Sequence, residues 1–390
     1  MIHWQLIVVS SILIVLTLPG TIELAMITIA GMLPSRDQLP NVIATTIGKL
    51  AIVIPAHNEA TTIVRCVHSI GACVLPDAVE TEVVVVADNC SDATADLARG
   101  ANARVLVRSD SSRRGKGFAL KFAFQTLLDE GFDAVVVIDA DSVVDSNLLL
   151  EVVRLFRMGA DGVQVRYVVL NPDDSTRTRL MNVAFMAFNV LRARGRARMN
   201  LSVGIFGNGF GLSSATLKAA PYDSQSLVED LEYHLRLVQA GKKIVFADRT
   251  RVRAEMPTGG RGVSTQRARW EGGRLRTALE NLPRLLGAVI SGKSRLLEPT
   301  LELLLLPLAF HITLLGLTAL MPFVLARIYA LFALALVAFH VVAGILVGGG
   351  DWRDFSALLS APFYVAWKLA SLPKTVQSAR SVAPWVRTER

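Results

Sequence analysis

Residues 134–141 read Ala-Val-Val-Val-Ile-Asp-Ala-Asp, an apolar run that ends in two carboxylates. Five small or β-branched apolar residues in a row are typical of a strand that is buried on both faces. Three similar predicted strands precede it, at residues 51–55, 82–87 and 103–107. Helical patterns alternate with the strands, at residues 60–71, 91–98 and 116–130. This alternation predicts an α/β domain with a mostly parallel sheet covered by helices.

Chemistry is expected at the carboxyl ends of these strands, where open parallel sheets bind their ligands. The residues that follow the strands are Pro55, Ala56, His57 and Glu59, then Asp88 and Asp92, then Asp139 and Asp141. A single carboxylate at such a place is also explained as a turn former or a helix cap. Two carboxylates one residue apart instead suit Mg²⁺ or Mn²⁺ that holds a diphosphate. The basic loop at residues 113–117 suits an anion but lacks the spacing of a P-loop.

The composition argues against a disordered or purely soluble chain. The 390 residues are 52% hydrophobic and 19% charged, and the net charge is +8. Disorder needs low hydrophobicity, whereas the mean hydropathy here is +0.44. The positive charge first suggests membrane faces near anionic lipid, then an anionic substrate, and nucleic acid only last. The three cysteines form no Cys-x-x-Cys pair, and we expect reduced core thiols in a cytosolic domain.

Long apolar stretches lie at both ends of the chain. Residues 6–33 carry a single charge, Glu23, and are long enough for one span kinked at Pro19. A re-entrant hairpin and a cleaved signal peptide are the alternatives. Residues 303–326 and 328–350 predict two further spans, and residues 355–372 an interfacial segment. The basic tail predicts a cytoplasmic C-terminus and a cytoplasmic middle region. The expected domains are an anchor at 1–35, a catalytic domain at 49–295, two transmembrane helices at 296–350, and an interfacial segment with a basic tail at 351–390.

Five short motifs occur one after another along the chain. The motifs are Ile54-Pro-Ala-His-Asn-Glu59, Val86-Ala-Asp-Asn-Cys-Ser-Asp92, Asp139-Ala-Asp141, Val228-Glu-Asp230 and Gln266-Arg-Ala-Arg-Trp270. Together and in this order they resemble the motifs of the membrane-bound family 2 glycosyltransferases, the group that contains the cellulose, hyaluronan, chitin and poly-N-acetylglucosamine synthases. The resemblance covers about residues 49–275. It implies a GT-A fold, a nucleotide-sugar donor and a Mg²⁺ or Mn²⁺ cofactor.

The resemblance also implies roles for individual residues. The segment from Pro55 to Glu59 and Asp88 would hold the nucleoside, and Lys116 would touch the nucleotide or its diphosphate. The metal and diphosphate would be held by Asp139 and Asp141, and Asp230 would be the general base. The acceptor and diphosphate would be enclosed by Gln266, Arg269, Trp270 and, from the loop Phe206-Gly-Asn-Gly-Phe210, Gly209. These roles suit inverting transfer, which needs a base for the acceptor hydroxyl and positive charge at the leaving group.

One departure from the family pattern and one basic segment add expectations. His57 stands where several processive synthases carry tyrosine, which weakens the expectation of uracil specificity. The segment 180–199 and its flanks are rich in arginine, at positions 177, 179, 192, 194, 196 and 198. We expect this segment to lie on anionic lipid, with a solvated basic face as the alternative.

The resemblance leaves the acceptor open. The Gln-x-x-Arg-Trp motif favours extension of a β-linked polysaccharide from a UDP-sugar, which is the function we expect. The few predicted spans favour the alternative, transfer of one sugar to a lipid or lipid-linked glycan acceptor. Membrane lipid and an oligomer or export partner are further expected partners, and the location expected is a bacterial inner membrane. A non-catalytic scaffold is disfavoured because all four motif aspartates are present. A transporter is disfavoured because the spans lack paired ionisable residues.

Overall fold

The computed structural model describes residues 2–34, 45–223, 228–305 and 307–373, and it leaves out the side chains of residues 2 and 260–269. Eight strands form one sheet in the order β3-β2-β1-β4-β7-β6-β8-β5. Their bounds are β1 Lys49–Ala56, β2 Glu80–Asp88, β3 Arg104–Arg108, β4 Ala134–Val137, β5 Ser142–Val144, β6 Gly162–Val169, β7 Phe210–Ser213 and β8 Ile244–Ala254. The basic tail predicted after residue 373 lies outside these residues.

The sheet is parallel where the sequence predicts it and mixed beyond that point. Strands β3, β2, β1 and β4 are mutually parallel, and β6 is parallel to β8. Strand β7 runs antiparallel to both β4 and β6, and β5 runs antiparallel to β8. The predicted α/β fold is therefore confirmed, with three antiparallel pairings that the alternating pattern did not indicate.

Helices cover both faces of the sheet, as expected for strands that are apolar throughout. Helices α2 (Ile63–Gly71), α3 (Thr94–Gly100) and α5 (Leu148–Arg157) pack on one face. Helices α4 (Lys116–Asp129), α8 (Ser214–Ala219) and α9 (Glu229–Gln239) pack on the other. All three cysteines are free thiols; Cys66 and Cys73 are buried, as expected for core thiols, whereas Cys90 is only half-buried.

The remaining helices form a bundle beside the sheet. Their bounds are α1 Ile2–Met32, α6 Thr176–Phe185, α7 Ala193–Arg198, α10 Gly260–Ile290, α11 Leu297–Leu304, α12 Leu308–Ala319, α13 Val324–Gly348, α14 Trp352–Ala357 and α15 Ala361–Ala370. A π-helical segment, Met186–Arg192, joins α6 to α7. Three 3₁₀ turns complete the chain, at Pro172–Asp174, Ser294–Leu296 and Leu358–Ser360.

Two of the described helices, α1 and α13, are long and apolar enough to cross a membrane. The stretch expected to form the first C-terminal span is instead divided into α11 and α12, which are bent by 76° and count as a third span only if taken together. Polar side chains in the bundle pair with each other, since Thr28 Oγ1 lies 2.7 Å from His340 Nδ1 and Thr21 Oγ1 lies 3.3 Å from His311 Nε2. The length and the apolar composition of α1 and α13 support membrane association.

Three of the six arginines in the arginine-rich segment and its flanks are buried in the protein rather than facing lipid, which corrects the expectation from sequence for those three. Arg179, Arg192 and Arg196 are at most 8% exposed, and each is paired with carboxylates of other elements. Glycines let this segment pack tightly on α1, because a Cβ at Gly195 would lie 2.3 Å from the carbonyl oxygen of Ile27. The positive charges face acidic partners that are far away in sequence, which a local charge pattern does not reveal.

Candidate functional site

A cleft of about 980 Å³ opens at the carboxyl ends of β1, β2 and β4. The predicted site residues that line it are Pro55, Ala56, His57, Glu59, Asp88, Lys116, Asp139, Asp141, Asp230 and Trp270. Helix α10 carries Gln266 and Arg269, but their side chains lie outside the described part of the chain. Residues from five separate motifs thus meet around one cavity.

At one end of the cleft, the loops after β1 and β2 are fixed to each other. The Nδ1–H of His57 donates to the carbonyl oxygen of Asp88 at 2.7 Å. The backbone N–H of Ser91 donates to Asn58 Oδ1 at 2.8 Å, and that of Ala60 donates to Asp92 Oδ2 at 3.2 Å. Asp92 therefore joins the loops structurally, which agrees with the turn and cap alternative for this residue.

An arginine that the sequence did not single out holds Asp88 in place. Arg108, the last residue of β3, donates to Asp88 Oδ1 at 2.6 Å. The same guanidinium donates to the carbonyl oxygen of Arg113 at 2.7 Å and to Asp110 Oδ2 at 3.1 Å. The rule that strand ends carry the site, applied to the third strand, would have identified it. Asp88 and the basic loop at residues 113–117 therefore act as one unit.

The centre of the cleft contains a lysine between two functional segments. Lys116 is the first residue of α4, and its Nζ pairs with Asp139 and donates to the carbonyl oxygen of Gly207 at 2.6 Å. Burial lowers the pKa of Lys116, but Asp139, Glu229 and Asp230 raise it, and the net shift is upward. The side chain is therefore a fixed cation at the position where the sequence predicts the diphosphate.

A buried amide network, also missed from sequence, attaches the loop before β7 to the two predicted metal ligands. Asn208 is fully buried, and its Oδ1 accepts from the N–H of Asp139 at 3.0 Å while its Nδ2 donates to Ser142 Oγ at 2.8 Å. Ser142 Oγ in turn donates to Asp141 Oδ1 at 3.0 Å. Gln164 donates to the carbonyl oxygen of Asn208 at 2.8 Å. An asparagine between two glycines was the only local signal for this arrangement.

Asp230 lies at the start of α9 and faces the glycine loop. Its Oδ1 accepts from the N–H of Leu231 at 2.8 Å. A Cβ placed on Gly207 would lie 3.1 Å from Asp230 Oδ2, so this glycine lets the carboxylate approach the loop closely. Burial raises the pKa of Asp230, whereas the Leu231 N–H and Lys116 act in the opposite direction. A half-buried carboxylate with a raised pKa has the properties of a general base.

Gly209 does not line the cleft, which corrects its assignment to the acceptor site. Its N–H donates to the carbonyl oxygen of Val137 at 2.9 Å, and its carbonyl oxygen accepts from the N–H of Val165 at 2.8 Å. Its φ is +68°, and a Cβ there would lie 2.5 Å from Val165 Cγ2. The glycine is required for the sheet, while Gly204 and Gly207 line the cavity. Gly207, which lines the cleft, and Gly209, which packs within the sheet, are thus only two residues apart.

Aromatic side chains line the cleft on the side of Trp270. The ring of Phe185 lies 6.5 Å from that of Trp270 and 5.1 Å from that of Tyr167. The ring of Phe188 lies 6.1 Å from that of Phe206. All five line the cavity, and we call them the aromatic wall. Since Phe188 belongs to the π-helical segment that packs on α13, the wall is continuous with the bundle.

The carboxylates present fit a divalent cation that shares its ligands with a diphosphate. Within the described residues, no group of three or more His, Cys, Asp or Glu side chains is close enough to hold an ion alone. Mg²⁺ is commonly held by one or two carboxylates, with substrate phosphates and water completing its shell. Asp139 and Asp141 supply two such carboxylates on the cavity wall.

Comparison with known structures supports the fold. A mannosyltransferase from Pyrobaculum calidifontis, solved in complex with GDP-Man and Mn²⁺, superimposes with a TM-score of 0.51. The two chains share 16% identity, and the match covers 95% of this chain and 96% of that one. The likeness shows the GT-A-like fold predicted from sequence, and it extends beyond the sheet to the helices at both ends.

Comparison with known sequences supports the family. A β-monoglucosyldiacylglycerol synthase of Trichormus variabilis is 29% identical over 48% of this chain and 41% of its own length. A probable glucomannan 4-β-mannosyltransferase of Arabidopsis thaliana is 26% identical over 57% of this chain and 42% of its own length. The matched region thus spans less than half of either relative. The sequence profile described as glycosyltransferase like family 2 matches residues 48–273, and the chain belongs to this family.

Proposed function

We propose that the protein is a membrane-associated, metal-dependent, inverting glycosyltransferase that transfers one sugar from a nucleotide-sugar to a lipid-linked acceptor. The observation that carries the transfer reaction is the approach of Asp230 to Gly207, beside the Lys116–Asp139 pair. A base, Asp230, and a cation, Lys116, thus line the same cavity. Displacement of a nucleoside diphosphate by a hydroxyl requires both.

The reaction is a single displacement at the anomeric carbon. The acceptor oxygen forms the new glycosidic bond, its proton passes to the Asp230 carboxylate, and the bond to the diphosphate breaks with inversion. Lys116 stabilises the negative charge that develops on the diphosphate, and Asp88 with His57 orients the nucleoside. A divalent cation held by Asp139 and Asp141 supplies further charge neutralisation when it is bound.

The aromatic wall favours a lipid-linked acceptor. Its rings lead from Trp270 to the π-helical segment that packs on the membrane-crossing candidate α13. Such a surface suits a sugar ring and the apolar part of an amphiphile next to it. The name of the β-monoglucosyldiacylglycerol synthase among the relatives gives a glycolipid as its product. A UDP-sugar is the donor that we expect, with a GDP-sugar as the competing choice.

Polysaccharide extension is the second candidate. It is supported by the Gln-x-x-Arg-Trp motif at residues 266–270 and by the glucomannan mannosyltransferase relative. On this alternative the aromatic wall would bind the last sugars of a growing chain. Oligomer or partner subunits would then supply an export path.

A product assay tests both candidates. The purified chain in lipid receives Mg²⁺ or Mn²⁺, a panel of labelled UDP-sugars and GDP-mannose, and a membrane lipid extract. We expect one donor to label a single-sugar product that partitions into organic solvent, and chelation by EDTA to abolish its formation until Mn²⁺ is restored. A long, water-soluble product would reject the lipid acceptor and establish the polysaccharide candidate. An Asp139→Ala variant, expected to lose activity, controls for contaminating transferases.

A further inference from the structure

Six charged side chains, five of them buried and one half-buried, form a network between the bundle and the cleft. Three are basic, namely Arg192, Arg196 and Arg274, and three are acidic, namely Glu23, Glu298 and Glu302. Arg196 is only 1% exposed and is the centre of the network. The formal charges of the two signs are equal in number. We call these six residues the charge network.

The network connects the first membrane helix to the rest of the chain. Glu23 is the single charged residue between Leu6 and Leu33, and its Oε1 accepts from Arg192 Nη2 at 2.7 Å. The same oxygen lies 3.5 Å from Arg196 Nη2. An ionisable residue inside an apolar helix is costly and usually has a specific partner and role. Here the partners belong to the segment that continues the aromatic wall.

The network then reaches the helix that carries Trp270. Arg196 pairs with Glu298 and, at 3.4 Å, with Glu302, both on α11. The Nη2 of Arg274, on α10, donates to the carbonyl oxygen of Glu302 at 2.5 Å. Arg274 and Glu302 both line the cleft. Arg274 follows Trp270 by four residues, and residues at that spacing lie on the same side of a helix.

Stability alone does not account for these charges. Buried ion pairs lose much of their mutual attraction to desolvation, and apolar replacements of similar shape are often as stable. The network is also incompletely hydrogen-bonded, because Glu23 Oε2, Arg192 Nε and Arg196 Nη2 have no hydrogen-bond partner among the described residues. In some proteins, buried charges of this kind specify one arrangement of the elements that carry them.

From this geometry we propose that the charge network is a positioning device, which fixes α10 and its Trp270 against the anchor helix and so sets the acceptor side of the cleft. This inference rests on the proposed function. The donor side is built from β1, β2, β4 and α4, which contribute no member of the network. Loss of a network charge should therefore impair use of the acceptor while leaving nucleotide binding intact.

The test uses substitutions at the two ends of the network in the full-length chain. Glu23→Gln changes the anchor helix, and Arg274→Gln changes α10. The matched controls are Thr28→Val, which removes a buried polar contact of α1 to His340, and Arg284→Gln, which removes an exposed charge from α10. The readouts are acceptor kcat/KM, affinity for the nucleoside diphosphate with Mn²⁺, and the thermal midpoint.

We expect each network variant to lower acceptor kcat/KM by about 10- to 100-fold, the scale of an error of about 1 Å in positioning. Nucleotide affinity should stay within about twofold, and the double variant should be little worse than the worse single one, because coupled sites are non-additive. The proposal would be overturned if the effects of the two substitutions multiplied in the double variant, if nucleotide affinity fell in parallel with acceptor kcat/KM, or if the kinetics were unchanged. If Glu23→Gln does not fold, Glu302→Gln replaces it in the same comparison. A wild-type chain that makes no product from any donor would instead refute the proposed function, and the acceptor role of the network with it.

Discussion

Replacement of Asp230 by asparagine separates catalysis from folding more cleanly than any other single change in the cleft. Asparagine keeps the shape of the side chain and an oxygen that accepts from the Leu231 N–H, a bond of 2.8 Å. It removes only the ability to take a proton. We expect kcat to fall by about 10²- to 10⁴-fold, the usual contribution of a general base. That range corresponds to about 3–5 kcal/mol of activation free energy.

Stability should not fall with activity. Burial raises the pKa of Asp230 above its ordinary value of 3.8, so the folded chain disfavours the charged form. The folded state then binds its proton more tightly than the unfolded state, and ionisation above that range lowers the free energy of unfolding. Asparagine carries no charge and avoids this loss. We therefore expect the thermal midpoint of Asp230→Asn at neutral pH to equal or exceed that of the wild-type chain.

The assay is initial rate against pH with saturating donor and acceptor. The wild-type rate should rise as Asp230 deprotonates, through a pKa above 3.8, and then level off, because only the carboxylate accepts a proton. The small residual rate of Asp230→Asn should lack that step. Glu229→Gln is the control for loss of one negative charge at the same helix start. A variant that keeps more than about a tenth of the wild-type kcat, or that keeps the pH step, would refute the assignment of the base.

Three further predictions concern pH, packing and the acceptor. Burial lowers the pKa of His234 from 6.5 to about 4. Between these two pH values only the unfolded chain binds a proton at this residue, so the free energy of unfolding should fall by about 3 kcal/mol from pH 6.5 to pH 4. Chemical denaturation of His234→Gln should show a smaller loss over the same range. Gly195→Ala places a Cβ 2.3 Å from the Ile27 carbonyl oxygen and should cost about 1–3 kcal/mol, measured as a lower thermal midpoint. By contrast, Gly287→Ala meets nothing within 4 Å and should gain about 0.5–1 kcal/mol. Trp270→Ala should lower acceptor kcat/KM by about tenfold without changing nucleotide affinity, and an equal loss of nucleotide affinity in titrations would contradict its place on the acceptor side.

The sequence correctly predicts that the residues following the strands meet at one cleft, because the information that places them there is local. Each strand end is marked by an apolar run followed at once by polar residues, and the parallel arrangement brings those ends to one edge. This rule identifies Asp88, Asp139 and the segment from Pro55 to Glu59, and all of these residues except Asn58 line the cleft. The same rule points to Arg108 at the end of the short third strand.

The rest of the site depends on contacts between residues that are far apart in the sequence. Strand β7 has only four residues, one of them glycine, and its antiparallel pairing with β4 joins positions far apart in the chain. Which of Gly207 and Gly209 lines the cleft depends on the register in which β7 pairs with β4, and the sequence pattern does not indicate that register. Arg192 reads as part of a basic surface until Glu23, 169 residues away, is found 2.7 Å from it. Charge patterning along one segment does not indicate whether a charge faces solvent, lipid or a buried partner.

The burial of the arginine-rich segment changes the role that the membrane helices have in this protein. On a lipid surface those arginines would only hold the catalytic domain near its substrate, and any other anchor would serve equally well. Paired with Glu23, Glu298 and Glu302, they instead make the anchor helix part of the structure that supports the aromatic wall. The glycine contact between Gly195 and the backbone of Ile27 points the same way, because helices so close do not slide independently. A catalytic domain separated from α1 would therefore leave Arg192 and Arg196 without their partner Glu23, and we infer that it would bind nucleotide but lose its acceptor side.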